Sequence, residues 1–145
     1  MAIQVKRAYE KPSPKDGARV LVDRLWPRGI SKSDARLEKW LRDLAPSDAL
    51  RKWYHGRASA SSFAEFRKRY LAELYQPAAA SALAELYDLA ARHQTVTLIY
   101  GSKDEEQNNA TVLRDLLSGM RKPPSSSGPA KAVSSGRRNR ARGSK

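Results

Sequence analysis

With 145 residues, 30% of them charged, and a net charge of +13, the chain has the length of one domain and enough sequence for one hydrophobic core. It holds no cysteine and only two histidines, His55 and His93, which excludes disulfides, thiolate metal sites and cysteine nucleophiles and leaves no His-Glu-x-x-His spacing; no metal and no cofactor are expected. Its clearly apolar strand runs are about five residues long where a membrane helix needs ~20, and Met-Ala-Ile-Gln-Val-Lys-Arg has no signal-peptide core, so a cytoplasmic protein without membrane contact is expected.

Ile3 and Val5 alternate with Gln4 and Lys6, the period of a strand with one face covered. Lys11 to Gly17, with two prolines and a glycine, reads as a loop. Val20-Leu21-Val22 is apolar without alternation, as expected of a central strand buried on both faces of a parallel sheet. The run then stops at Asp23, and Arg24, Trp26 and Arg28 follow around Pro27 and Gly29. Trp26-Pro27-Arg28-Gly29 fits a type I turn, with proline second and glycine fourth. From Ser31 to Ala45, the spacing of Leu37, Trp40, Leu41 and Leu44 predicts a helix, although the latter half also reads as a strand.

Ser47 is placed to cap a short helix carrying Leu50 and Trp53 up to Gly56. Ser62-Phe-Ala-Glu65 is a capping box that predicts a helix start, with Phe63, Phe66, Tyr70 and Leu74 on one face. On that helix Arg67, Lys68 and Arg69 form a solvated basic face, with Glu65 and Glu73 both four residues from Arg69. Pro77 opens a further helix that buries Leu83, Leu86, Tyr87 and Ala90. Val96 to Tyr100 is the second central strand; after a polar loop, Asn108 or Asn109 caps a helix with Ala110, Leu113 and Leu117 inward, closing at Gly119.

Residues 121 to 145 carry eight basic residues and no acid, so +8 of the net charge belongs to them and +5 to residues 1 to 120. Their Pro, Ser, Gly and Arg content cannot bury enough apolar surface to offset ordering entropy. The expected organisation is one α/β domain over 1 to 120 and a disordered basic tail over 121 to 145. The domain is expected to have three layers, a small, mostly parallel central sheet with helices on both faces. Ligands of such sheets bind beyond the carboxyl ends of the strands, which makes the loops after Val22 and after Tyr100 one candidate rim.

Val22-Asp-Arg-Leu-Trp-Pro-Arg-Gly29, Leu44-Ala-Pro-Ser47, Leu50-Arg-Lys-Trp53, Phe66 to Leu74 and Val96 to Tyr100, followed by Lys103-Asp104 and Asn108-Asn-Ala110, resemble the DUF488 family of small bacterial proteins. The resemblance covers residues 3 to 118. It implies a compact α/β fold and brings no substrate, cofactor or catalytic residue with it. Gly101 stands where the family often has alanine or serine, and it is expected to loosen the loop before Lys103.

Asp23, Arg24, Trp26 and Arg28 on one loop, with Lys103, Asp104, Asn108 and Asn109 on the other, are the candidate site. Arginine forks match phosphate or carboxylate, and a helix start adds a positive dipole end. The expected ligand is an anionic or nucleotide-like small molecule, bound by Arg24, Trp26, Arg28, Asn108 and Asn109. Any catalysis would use Asp23 or Asp104 as general base, with Lys103 steadying negative charge. The plainer alternative is that Asp23 pairs with an arginine to fix the turn and the asparagines only cap.

Trp26, Trp40 and Trp53 read as packing or as a platform for a base; His55 reads as a capping or surface residue or a proton shuttle, and His93 as structural. Arg137, Arg138, Arg140 and Arg142 are candidate phosphate contacts for nucleic acid, which gives a rival reading of the chain as a nucleic-acid-associated accessory protein. A third is a partner-binding module anchored by Trp26 or Trp53. Oligomeric state is open.

Overall fold

The structure, a computed structural model, describes residues 2–55 and 60–119, the side chains of 60 and 61 excepted. Gly56 and the tail, with Arg137, Arg138, Arg140 and Arg142, lie outside the described residues. Among the described residues four parallel strands form one sheet: β1 (Ala2–Arg7), β2 (Ala18–Leu21), β3 (Lys39–Trp40) and β4 (Thr95–Tyr100), in the order β1-β4-β2-β3. β4 pairs on both sides, Val96 standing opposite Ile3 and Ala18, and Leu98 opposite Val5 and Val20. The two apolar runs are therefore the two inner strands, and their lack of alternation reflects burial on both faces.

The helices are α1 (Lys32–Ala35), α2 (Asp48–Tyr54), α3 (Ala60–Glu73), α4 (Pro77–Arg92) and α5 (Asn109–Ser118). Val20, Val22, Val96, Leu98 and Tyr100 share a core with Leu50 of α2, Phe66 and Tyr70 of α3, Leu74 just after it, Leu83, Leu86 and Ala90 of α4, and Leu113 and Leu117 of α5. Tyr87, half-buried, packs against it. The opposite face has a thinner cover. There Leu21 and Ile99 meet Ala8, Trp26, Ile30, Leu37 and Trp40, and α1 lies above Arg19, whose Nε donates to the Ala35 carbonyl at 2.9 Å.

This arrangement corrects the helix expected over 31 to 45 and agrees with the strand alternative for its latter half. Only Lys32–Ala35 is α-helical; Lys39–Trp40 pairs with β2, and Arg42–Leu44 is a 3-10 turn. Leu37 and Trp40 face the thin layer, whereas Leu41 and Leu44 enter the main core, so the helical spacing records a chain that crosses the sheet edge and feeds two cores. The turn after Trp26 is also displaced. Ile30 N–H donates to Pro27 at 3.4 Å and Gly29 has φ +84°, a positive value in the third position that suits a type II turn.

Ser47 caps α2, its Oγ accepting from Leu50 N–H at 3.1 Å. A seven-residue helix is marginal alone; α3 supports it, because Glu73 accepts from Ser47 N–H at 2.8 Å and from its hydroxyl at 2.6 Å. Glu73 is thus not the partner of Arg69 that its spacing suggested. The helix start expected at Ser62 lies two residues earlier: α3 begins at Ala60, and Glu65 reaches forward to Arg69 Nε at 2.8 Å.

At the amino end of β2 stands a closed ionic cluster. Asp16, 3% exposed, accepts from Lys6 at 3.0 Å, Arg19 at 2.7 Å and Ser13 N–H at 3.0 Å. Burial by itself would raise this carboxyl, but the bonds from Lys6, Ser13 and Arg19 outweigh it and hold the group below the usual aspartate range. Gly17 follows with φ +63°, and any Cβ there would overlap the Thr95 carbonyl of β4.

Candidate functional site

The carboxyl ends of β2 and β4 lie side by side, and a cleft of about 680 Å³ opens beyond them, within the usual range for small-molecule sites. Asp23 and Arg24 enter it from β2; Lys103, Asp104, Asn108 and Asn109 enter it from the β4–α5 connection. Trp26 and Arg28 do not line it. The Trp26 indole donates to the Ile30 carbonyl at 2.6 Å and packs edge-on against Trp40 at 5.3 Å, while Arg28 is exposed, its carbonyl bonded by the Tyr9 hydroxyl at 3.1 Å. The intervening turn carries both toward the thin face of the sheet.

Asp23 ties the two strand ends together. One carboxylate oxygen accepts from Gly101 N–H at 2.8 Å and the other from the Asn109 amide at 3.1 Å, and that amide also donates to the Val22 carbonyl at 3.1 Å. The Asp23 carbonyl receives the Trp40 indole at 2.7 Å. Among the described residues no arginine pairs with this carboxylate, contrary to the ion-pair reading of the turn. Burial raises its pKa, against the opposing pull of Gly101, Asn109 and the Arg51 charge.

The other wall comes from residues with no local signal in the sequence: Ala45, Pro46, Arg51, Tyr54 and Phe66, with Leu25 at the mouth. Arg51, Tyr54 and His55 stand on the last turn of α2 and at its end, and His55 caps it, N–H to the Arg51 carbonyl at 3.0 Å. The Tyr54 ring stacks on Phe66 at 4.7 Å and 30°. Arg24 donates through Nη2 to the Ala45 carbonyl at 3.4 Å, but its Nε is buried with no acceptor among the described residues.

Asp104 is occupied in shaping the loop. Its Oδ1 accepts from Glu106 and Gln107 N–H, both at 2.9 Å, and its carbonyl receives the Asn108 amide at 2.8 Å. Asn108 is the cap of α5, accepting from Thr111 N–H at 2.9 Å, so of the two asparagines one caps and the other bridges to Asp23. Lys103 is exposed on the rim. The assembled wall offers three cations, two carboxylates engaged in hydrogen bonds, and an aromatic surface. Among the described residues no group of His, Asp and Glu is arranged to hold a metal ion, and no helix is long and apolar enough to cross a membrane.

Comparison with known proteins finds relatives over most of the chain. The uncharacterized protein YeaO of Escherichia coli (strain K12) is 46% identical over 117 residues, 81% of this chain and 97% of that protein. The uncharacterized proteins Mb3100c of Mycobacterium bovis and Rv3073c of Mycobacterium tuberculosis are each 45% identical over 117 residues, 81% of this chain and 94% of theirs. No solved structure matches. The family DUF488-N3i, described as the inactive DUF488-N3 subclade, matches residues 2–134, further toward the tail than the motifs alone reach, and the chain belongs to it.

Proposed function

We propose that the domain binds a small anionic ligand in the rim cleft and holds it without turnover. Arg24 is the observation that carries this reading: its guanidinium stands in the cleft wall with Nε buried and unsatisfied. Such a group costs about 1–3 kcal/mol, and a small rotation of the guanidinium toward an anionic oxygen in the cleft would replace the unmet donor with charge-assisted bonds. Arg51 and Lys103 add charge on the same cleft, and α5 begins there. The family description as an inactive subclade supports binding over catalysis. So does the engagement of both Asp23 oxygens and of Asp104 Oδ1 in holding the loops. Nucleic-acid contact through Arg137, Arg138, Arg140 and Arg142 rests on composition alone.

Thermal unfolding of the full chain against phosphomonoesters, inorganic phosphate and carboxylates tests the proposal. A ligand at 100 times its dissociation constant adds about 2.7 kcal/mol. Arg24→Gln should abolish the stabilisation, and Arg28→Gln, outside the cleft, should keep it. Stabilisation that survives Arg24→Gln but vanishes on deletion of 121 to 145 would assign binding to the tail and end the cleft proposal.

A further inference from the structure

A bare anion would leave most of this cleft unused. We infer that its ligand carries a planar ring on the same small molecule as the anionic group, the chemistry of a nucleoside monophosphate, with the ring seated on Tyr54. The inference rests on the anion-binding reading above and specifies what else the ligand must have.

Tyr54 supplies the main argument. The ring is half-buried, stacked on Phe66 at 4.7 Å, and Phe66 in turn packs on Tyr70 at 5.7 Å. The Tyr54 hydroxyl lies 3.5 Å from the Gln107 side-chain oxygen across the cleft. An aromatic held from behind and at its tip has little rotamer freedom left to lose, so stacking a ligand on it carries a small ordering cost. The rest of the wall agrees. Leu25 is 64% exposed at the mouth, and Ala45 and Pro46 continue the apolar surface; an apolar wall with a few polar groups is what organic ligands use.

Charge limits the anionic part. Three cations, Arg24, Arg51 and Lys103, line the cleft beside two acids, Asp23 and Asp104, and Arg51 also pairs with Asp48 at 3.5 Å, so little positive charge is left over. That suits one phosphate or carboxylate group and gives no compensation for a triphosphate. The amide of Gln107, on the cleft opposite α2, is placed to meet the edge of a ring lying on Tyr54.

Calorimetric titration of the full chain with AMP, ribose 5-phosphate and ATP at fixed ionic strength tests this. AMP should bind at least about tenfold tighter than ribose 5-phosphate, within the range that base–aromatic stacking supplies, and ATP no tighter than AMP. Tyr54→Leu should reduce AMP to the affinity of ribose 5-phosphate and leave the latter unchanged. Tyr54→Phe keeps the ring and should keep AMP binding, which separates stacking from any loss of helix packing; should the leucine variant not fold, the AMP to ribose 5-phosphate ratio decides alone. Equal affinities for the two in the unaltered protein would overturn ring recognition and leave anion binding standing. Absence of binding by both, or AMP binding indifferent to Arg24→Gln, would overturn both readings.

Discussion

Strand β2 is bracketed by two aspartates that fold has treated in opposite ways. Asp16, before it, is enclosed by two cations and a backbone amide, its carboxyl held below the ordinary value. Asp23, after it, is gripped by a backbone amide and an asparagine, and burial lifts its carboxyl above the ordinary value. The glycines beside them differ in the same sense: at Gly17 a side chain would strike the backbone of β4, at Gly101 only the Asp23 carboxylate, at 3.3 Å. The amino end of the sheet is locked by charge and main chain. The carboxyl end is closed by neutral donors and side chains, and Arg24, Arg51 and Lys103 line the cleft beyond it.

The largest effect that can break this contrast is removal of the amino-end carboxylate. Asp16→Ala strands the buried guanidinium of Arg19 and should cost about 3–5 kcal/mol, read from the urea midpoint; Asp23→Ala strands only neutral donors beside open solvent and should cost about 1–3 kcal/mol. Equal losses would remove the distinction. Next come the glycines. Gly17→Ala should cost at least about 1–3 kcal/mol for its backbone conformation before the overlap with Thr95 is counted, whereas Gly101→Ala should stay under about 1 kcal/mol because a carboxylate can turn aside.

The smallest expected effect is on pH dependence, and its sign differs at the two ends. Asp16 sits below the usual 3.8, so its stabilisation is complete above that value and fades as pH falls through the lower folded one. Asp23 sits above 3.8, so its contribution is complete below that value and is lost as pH rises through the higher folded one. Urea midpoints across the acid range should therefore show Asp16→Asn flattening the loss of stability below 3.8 and Asp23→Asn removing a decline above it. Parallel profiles for the two variants would contradict the opposite shifts.

The inner strands were legible because burial on both faces leaves an unbroken apolar run, and the rim followed from the rule for parallel sheets. Asp23, Arg24, Lys103 and Asn108 meet there because the two strands that deliver them are parallel neighbours. Trp26 and Arg28 looked equivalent to Arg24 in sequence, yet Trp26 is held on the thin face by the Ile30 carbonyl and Trp40, and the turn from Pro27 to Ile30 leaves Arg28 in solvent. Arg51 and Tyr54 carry no local signature, since only the docking of α2 against α3 brings them to the rim. The 31 to 45 segment misled because spacing cannot tell one helix face from a chain that serves two cores.

The pairing of β4 with both β1 and β2 has a consequence for how the chain is made. Ala2 finds its partner in Thr95, and Ala18 finds its own in Val96, so when the first two strands leave the ribosome their common neighbour has not yet been synthesised. Until residue 100 emerges, the sheet can form no more than the two-residue pairing of β2 with β3. Such long-range closure slows folding and leaves Val20-Leu21-Val22 waiting uncovered, which makes β4 the strand whose arrival commits the nascent protein to its fold.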